Sequence, residues 1–220
     1  YSENKINYSY SENRVRILNA RKFNIEKDLG IEVRSGMLAD FRRAVTEFKP
    51  DFMIYSLVED TFLQARGMMQ TIADLNIPHL VGGVFPTMAP EKCIAAPEID
   101  LIGLGEGERT VQAVAEAVRQ LQPLNDIPGT WIKQSDGNIR KTPQPSLVDI
   151  NDVVPDFSLF HPSRFNRPMG GSVFRMIPVE SYRGCPYACT YCNSPTQRLL
   201  AKKNDLGNFL RRNHIDGLRE

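Results

Sequence analysis

Two runs decide the fold: Asp51-Phe52-Met53-Ile54-Tyr55-Ser56-Leu57 and His79-Leu80-Val81-Gly82-Gly83. Each is a short apolar stretch bounded by turn residues, and Phe62 to Asn76 between them reads as a helix. Ile99-Asp100-Leu101-Ile102-Gly103 repeats the pattern. A helix from Glu108 to Leu121 follows, with Val111, Val114, Ala115, Val118 and Leu121 on one face. Upstream, Leu38, Phe41, Ala44, Val45 and Phe48 keep helical spacing until Pro50 stops them, and Arg14-Val15-Arg16-Ile17-Leu18 reads as a further strand. Strands separated by single helices predict parallel βαβ units and an α/β sheet. Open sheets of this kind bind ligands at the carboxyl ends of their strands. The loops after Leu57, Val81 and Ile102 are therefore the candidate site. His79, at the start of its run, reads as a strand-edge residue.

Beyond Gln122 the character changes. Trp131-Ile132-Lys133 and Ile139-Arg140-Lys141 flank Ser135-Asp136-Gly137-Asn138, a hairpin signal through Asp-Gly. Pro143, Pro145, Pro155, Pro162 and Pro168 then punctuate a stretch of little periodicity, and Met176-Ile177-Pro178-Val179-Glu180 reads as a strand opening a second domain. The expected division is an α/β domain over 1–122, a hairpin and connector over 123–172, and a second domain from 173 to 220.

In 220 residues, 27 Lys and Arg balance 26 Asp and Glu for a net charge of +1, which argues against a nucleic-acid surface. No apolar run reaches the roughly 18 residues of a membrane span. The first residue is Tyr1, from which we expect the chain to begin inside a longer protein.

Of the four cysteines, Cys93 stands alone and reads as a small packed thiol. The other three fall in Tyr182-Arg183-Gly184-Cys185-Pro186-Tyr187-Ala188-Cys189-Thr190-Tyr191-Cys192, spaced C-x3-C-x2-C. A secreted disulfide framework would spread its cysteines across the fold, so this clustering points to metal ligands in a reducing, cytoplasmic setting. Three thiolates on one loop suit three irons of a [4Fe-4S] cube and leave the fourth iron open. Zinc with His161 or His214 as fourth ligand is the competing reading, although zinc sites usually pair two close C-x2-C sets. Arg183 stands beside the loop, placed either to pair with a carboxylate or to offset a cluster's negative charge.

The spacing, with an aromatic before the last cysteine, resembles the radical S-adenosylmethionine (SAM) enzymes. That resemblance implies that Cys185, Cys189 and Cys192 hold the cluster, that SAM chelates the open iron, and that Tyr191 lies against the adenine. It implies a first barrel strand around Ile177 to Ser181, at the start of a radical SAM core of which most would lie outside this chain.

The glycine loops sharpen the resemblance. Gly103-Leu104-Gly105-Glu106-Gly107-Glu108 departs from G-x-G-x-x-G, because Glu108 stands at the third glycine. Its carboxylates would also repel a pyrophosphate at a helix N-terminus, so NAD is not expected. The order Gly82-Gly83-Val84-Phe85-Pro86-Thr87, then Gly105-Glu106-Gly107-Glu108, resembles instead the cobalamin (B12)-binding domain that precedes the radical SAM core in one large subclass. By that resemblance Ser56, Leu57, Gly82, Gly83, Phe85, Pro86, Thr87, Gly103, Gly105, Glu106 and Gly107 line a cobalamin cleft. The His of the D-x-H-x-x-G cobalt-ligating motif is not matched, since Ile77 occupies the Asp position before His79.

The implied fold is a Rossmann-like parallel sheet of the B12-binding type, then a connector and the first strand and cluster loop of a (βα) partial barrel. The implied activity is radical SAM chemistry with a [4Fe-4S] cluster, SAM and cobalamin, favouring methyl transfer to an unactivated carbon of a small molecule. A flavodoxin or ferredoxin would supply electrons. Radical cyclisation or rearrangement, tRNA methylthiolation and a non-catalytic cobalamin- or metal-binding module are the alternatives. A second cysteine set upstream, which methylthiolation would require, is not present. No acid, base or nucleophile is assigned.

Overall fold

A computed structural model describes residues 36–169 and 172–213. The expected strand at Arg14–Leu18 and the tail from His214 onward lie outside the described residues. The chain divides into two compact units. Among the described residues, one contains 36–153 and 181–213, the other 154–169 and 172–180.

The larger unit is built on a five-stranded sheet whose strands lie side by side in chain order. Helix α1, Met37–Phe48, ends where Lys49 turns left-handed at φ 52 and Pro50 forbids continuation. Strand β1, Met53–Ser56, pairs in parallel with β2, His79–Gly82, so that Ser56 stands opposite Gly82. Helix α2, Phe62–Thr71, connects them. A short 3-10 turn, Ala73–Leu75, completes the stretch expected to be helical to Asn76. Two short helices, α3 (Val84–Met88) and α4 (Pro90–Ile94), lead to β3, Leu101–Gly103, parallel to β2. Helix α5, Gly107–Arg119, follows.

The predicted hairpin forms as β4, Thr130–Lys133, and β5, Ile139–Lys141. Its first strand pairs antiparallel with β3, so the hairpin extends the sheet. Half-buried Trp131 packs against the core, with the Lys141 ammonium 3.6 Å from its ring centroid.

Alternation along β2 and β3 sends neighbouring residues to opposite faces. Val81 and Ile102 join Ala65, Met69, Phe85, Cys93 and Ile94 beneath α2, α3 and α4. Leu80 and Leu101 join Val114 and Ala117 of α5 on the other face. Burying each such aliphatic side chain is worth about 1.5–3 kcal/mol. Cys93 is fully buried, and burial pushes its thiol up to about 11. It is a packed core residue.

The cysteine segment belongs to this same unit. Strand β8, Tyr182–Arg183, pairs antiparallel with β9, Arg211–Arg212, and helix α6, Ser194–Lys203, lies between them. Residues 176–180, expected as a strand, are not one. Pro178 removes a ladder donor in their midst, and Ile177 and Val179, which alternation would place together on a buried face, are both exposed.

In the smaller unit, β6 (Asn166–Met169) and β7 (Ser172–Arg175) form an antiparallel hairpin. It follows two 3-10 turns, in which the rings of Phe157 and Phe165 meet edge to face at 5.8 Å.

Candidate functional site

Parallel pairing brings the carboxyl ends of β1, β2 and β3 side by side, and backbone bonds stitch their loops together. Leu57 N–H donates to the Gly82 carbonyl at 2.8 Å, and Phe85 N–H donates to the Leu57 carbonyl at 3.1 Å. Gly83 makes this possible. Its φ is +101, and a Cβ there would lie 2.7 Å from both Leu57 N and Leu57 O. Thr87 Oγ1 donates to the Gly83 carbonyl and accepts from Gly105 N–H at 2.9 Å, joining the second loop to the third.

The residues expected to line a cofactor cleft therefore separate into two groups. Ser56, Gly105 and Gly107 are exposed at the strand ends, and Gly82, Gly83 and Thr87 are partly so. Leu57, Phe85, Pro86 and Gly103 are buried behind them. The Phe85 ring packs on Phe62 at 4.7 Å, and Gly103 lies against Leu80 and Thr110. His79 is at the opposite, amino end of β2. Its Nε2–H donates to the Glu98 carbonyl at 2.9 Å, as suits a strand-edge residue.

Glu106 has partners that its sequence position does not announce. Its carboxylate takes two hydrogen bonds from the Arg211 guanidinium, one of them 2.8 Å long, and a third from Val148 N–H at 3.1 Å. Arg183 Nη1 lies 3.4 Å away and donates to Glu108 at 2.6 Å. Burial opposes ionisation of Glu106, but the bonds from Arg211 and Val148 and the charges of Arg211 and Arg183 outweigh it. The carboxyl is held below its ordinary range.

Arg183 and Arg211 stand opposite each other on β8 and β9, and the cysteine loop opens one residue further on. Gly184, at φ +94, makes the turn, and any Cβ there would collide with the Phe209 carbonyl. Cys185 is half-buried, Cys189 and Cys192 are exposed, and all three are free thiols. Ser194 N–H donates to Cys192 Sγ at 3.4 Å, and Arg198 donates to the Pro186 carbonyl at 2.7 Å. Among the described residues no three His, Cys, Asp or Glu side chains converge at metal-binding distance. The donors nonetheless fit an iron–sulfur cluster in kind and number. They are three unoxidised thiols on one loop, and one sulfur already accepts a backbone N–H. Tyr191 is 91% exposed beside Cys192.

The strand ends and the cysteine loop share a cleft of about 350 Å³, lined by Thr87, Gly105, Glu106, Gln144, Arg183 and Cys185 among others. One cleft thus joins the two motifs that stand apart in the sequence.

Residues 15–115 match the family model described as B12 binding domain. Over that stretch the chain is similar to B12-binding domains. The anaerobic magnesium-protoporphyrin IX monomethyl ester cyclase of Rubrivivax gelatinosus is 27% identical over 161 residues, 69% of this chain and 28% of that protein. An uncharacterized methyltransferase of Pyrococcus horikoshii is 24% identical over 164 residues, 72% of this chain and 35% of that protein. The chain thus spans about a quarter to a third of the length of the curated relatives it matches. Among solved structures, the radical SAM methyltransferase TsrM of Kitasatospora setae, with tryptophan and a SAM analogue bound, aligns at TM-score 0.57 and 16% identity. The match covers 84% of this chain and 36% of that one. The cobalamin-dependent SAM radical enzyme OxsB, with aqua-cobalamin and SAM bound, aligns at TM-score 0.52 and 19% identity over 81% of this chain and 27% of that one. These likenesses are of fold. They place the five-stranded sheet and its helices within the Rossmann-like α/β architecture expected from the strands. No helix among the described residues is long and apolar enough to cross a membrane.

Proposed function

We propose that the protein is a cobalamin-dependent radical SAM enzyme. The observation that carries this reading is the shared cleft: Cys185 lines it together with Thr87 and Gly105, at the strand ends of the B12-binding domain. When bound, a [4Fe-4S] cluster with SAM supplies a 5′-deoxyadenosyl radical, and cobalamin supplies a transferable methyl group. Cys185, Cys189 and Cys192 would hold three irons and leave the fourth for SAM. Arg198 and Gly184 shape the loop that presents the thiols. Tyr191 offers an exposed ring to the adenine. Ser56, Gly82, Gly83, Thr87, Gly105 and Gly107 offer the strand-end surface for the corrin, backed by the buried Leu57, Phe85, Pro86 and Gly103.

The reaction we favour is methyl transfer to an unactivated carbon of a small molecule, with electrons from a flavodoxin- or ferredoxin-type donor in the cytoplasm. Ring formation is the second reading, and the cyclase relatives are what favour it. As to domains, we take the α/β domain to run to residue 122, the connector to 172 and the radical SAM portion onward from 173.

Anaerobic reconstitution with iron and sulfide, followed by reduction and EPR with and without SAM, tests the proposal. A [4Fe-4S]⁺ signal that shifts with SAM and vanishes in a Cys185→Ala, Cys189→Ala, Cys192→Ala variant supports it. Stoichiometric zinc without a cluster overturns it.

A further inference from the structure

The Gly105-Glu106-Gly107-Glu108 loop has the look of a ligand loop, yet both carboxylates are engaged by arginines far along the chain. Glu106 is gripped by Arg211, and Glu108 by Arg183. These arginines face each other across the β8–β9 ribbon. Arg183 is two residues from Cys185. Arg211 Nη1 also donates to the Val148 carbonyl at 2.7 Å, while Val148 N–H donates to Glu106. The side chains of Glu106 and Arg211 are only 19% and 13% exposed. One loop of the B12-binding domain therefore holds both strands of the ribbon from which the cysteine loop springs.

The chemistry of the contact suits positioning more than mere cohesion. An arginine fork on a carboxylate fixes angle as well as distance, whereas an apolar contact of equal area lets its partners slide. Partial burial keeps the pairs from being screened as surface pairs are. Group transfer between two held reactants is steep in their separation, and a misplacement of about 1 Å can cost on the order of a hundredfold in rate.

We infer that Glu106 and Glu108 are positioning residues which, through Arg211 and Arg183, fix the separation between the strand-end surface and the cysteine loop. The identity of the two cofactors rests on the function proposed above. The clamp itself does not.

The test uses the 220-residue chain loaded with reduced cluster and cob(II)alamin. Pulsed dipolar EPR reads the distance distribution between the two paramagnets. Glu106→Gln keeps one acceptor oxygen for Val148 and Arg211 but removes the charge and the second acceptor. Arg211→Lys keeps the charge but removes the fork. Wild type and variants are compared at equal cluster and cobalamin occupancy, set from their iron and cobalt contents. Glu106→Gln should widen the distribution at least twofold, and Arg211→Lys should widen it less. An unchanged distribution in both loaded variants overturns the inference. If the wild-type chain takes up no cluster, the proposed function fails instead. Hydrogen exchange of the metal-free protein over residues 182–193 then decides for the clamp. Exchange at least tenfold faster in Glu106→Gln, with β1 to β3 unchanged, supports it, and equal exchange overturns it.

Discussion

The loops after β2 and β3 are both rich in glycine, Gly82-Gly83 in one and Gly103, Gly105 and Gly107 in the other, yet they are held in different ways. Backbone holds the β2 loop. Gly83 lets the chain pass against Leu57, and three main-chain or threonine bonds close the gap. Charge holds the β3 loop, through carboxylates that meet arginines 75 and 105 residues away. A backbone-held loop tolerates changes of salt and pH but no added atom. A charge-held loop tolerates added atoms but not the loss of a charge.

Gly83→Ala should break the contrast most sharply. A left-handed alanine costs about 1–3 kcal/mol, and forcing its methyl against the Leu57 backbone adds about as much again. Urea denaturation should show a loss of about 2–5 kcal/mol, a large share of a typical domain's stability. Glu106→Ala should cost about 3 kcal/mol by leaving the part-buried Arg211 without its carboxylate. Glu106→Gln should cost nearer 1 kcal/mol, because its amide oxygen still accepts from Arg211 and Val148. The ratio between the two variants sharpens the claim that charge, rather than bulk, holds this loop.

Acid comes next in size. Arg66 above all, helped by Gln70 and opposed by burial, pushes the Glu98 carboxyl from 4.5 down to about 2. Glu106 is lowered in the same direction. A carboxylate more acidic folded than unfolded stabilises the fold above its unfolded value, and that contribution disappears as pH falls through the folded one. Stability measured by urea denaturation should therefore hold above pH 4.5 and fall towards about 2. Glu98→Gln should flatten that slope, whereas Gly83→Ala should leave it unaltered. A thiol reagent added to the native protein should label Cys185, Cys189 and Cys192, and Cys93 only after unfolding. The smallest effect belongs to Arg119→Ala. Its pair with Glu116 is exposed on α5, and the denaturation midpoint should not move measurably.

The parallel strands were legible because burial on both faces makes each a short, continuous apolar run, as at Leu80-Val81 and Leu101-Ile102. The partners of Glu106 were not legible. Local pattern carries no information about an arginine on another strand, and Arg211 lies in a polar stretch that reads as tail. The strand expected at 176–180 was misplaced because its apolar alternation is real, but Pro178 and solvent on both sides leave it nothing to pair with. The β6–β7 hairpin went unread because Pro168 marks its first strand as a connector. Cys185, Cys189 and Cys192 could be singled out by spacing alone. That Cys185 looks into the same cleft as Gly105 required the fold.

The β8–β9 ribbon gives the cysteine segment the topology of a ring. Its two ends are tied at Arg183 and Arg211 by the fold itself, so the entropy of closing the circle is met in folding, and the iron binding proposed above would not have to supply it. The circumference of such a ring matters little, since doubling a loop adds only about 0.6 kcal/mol to its closure. Gly207, which has nothing within 4 Å of where a Cβ would stand, is where extra residues would go in most cheaply. The knot of the ring is a different matter: cutting the tie at Arg211 turns one short tether into two loose ends, and a metal held by the three cysteines, as proposed above, would then have to assemble its own site.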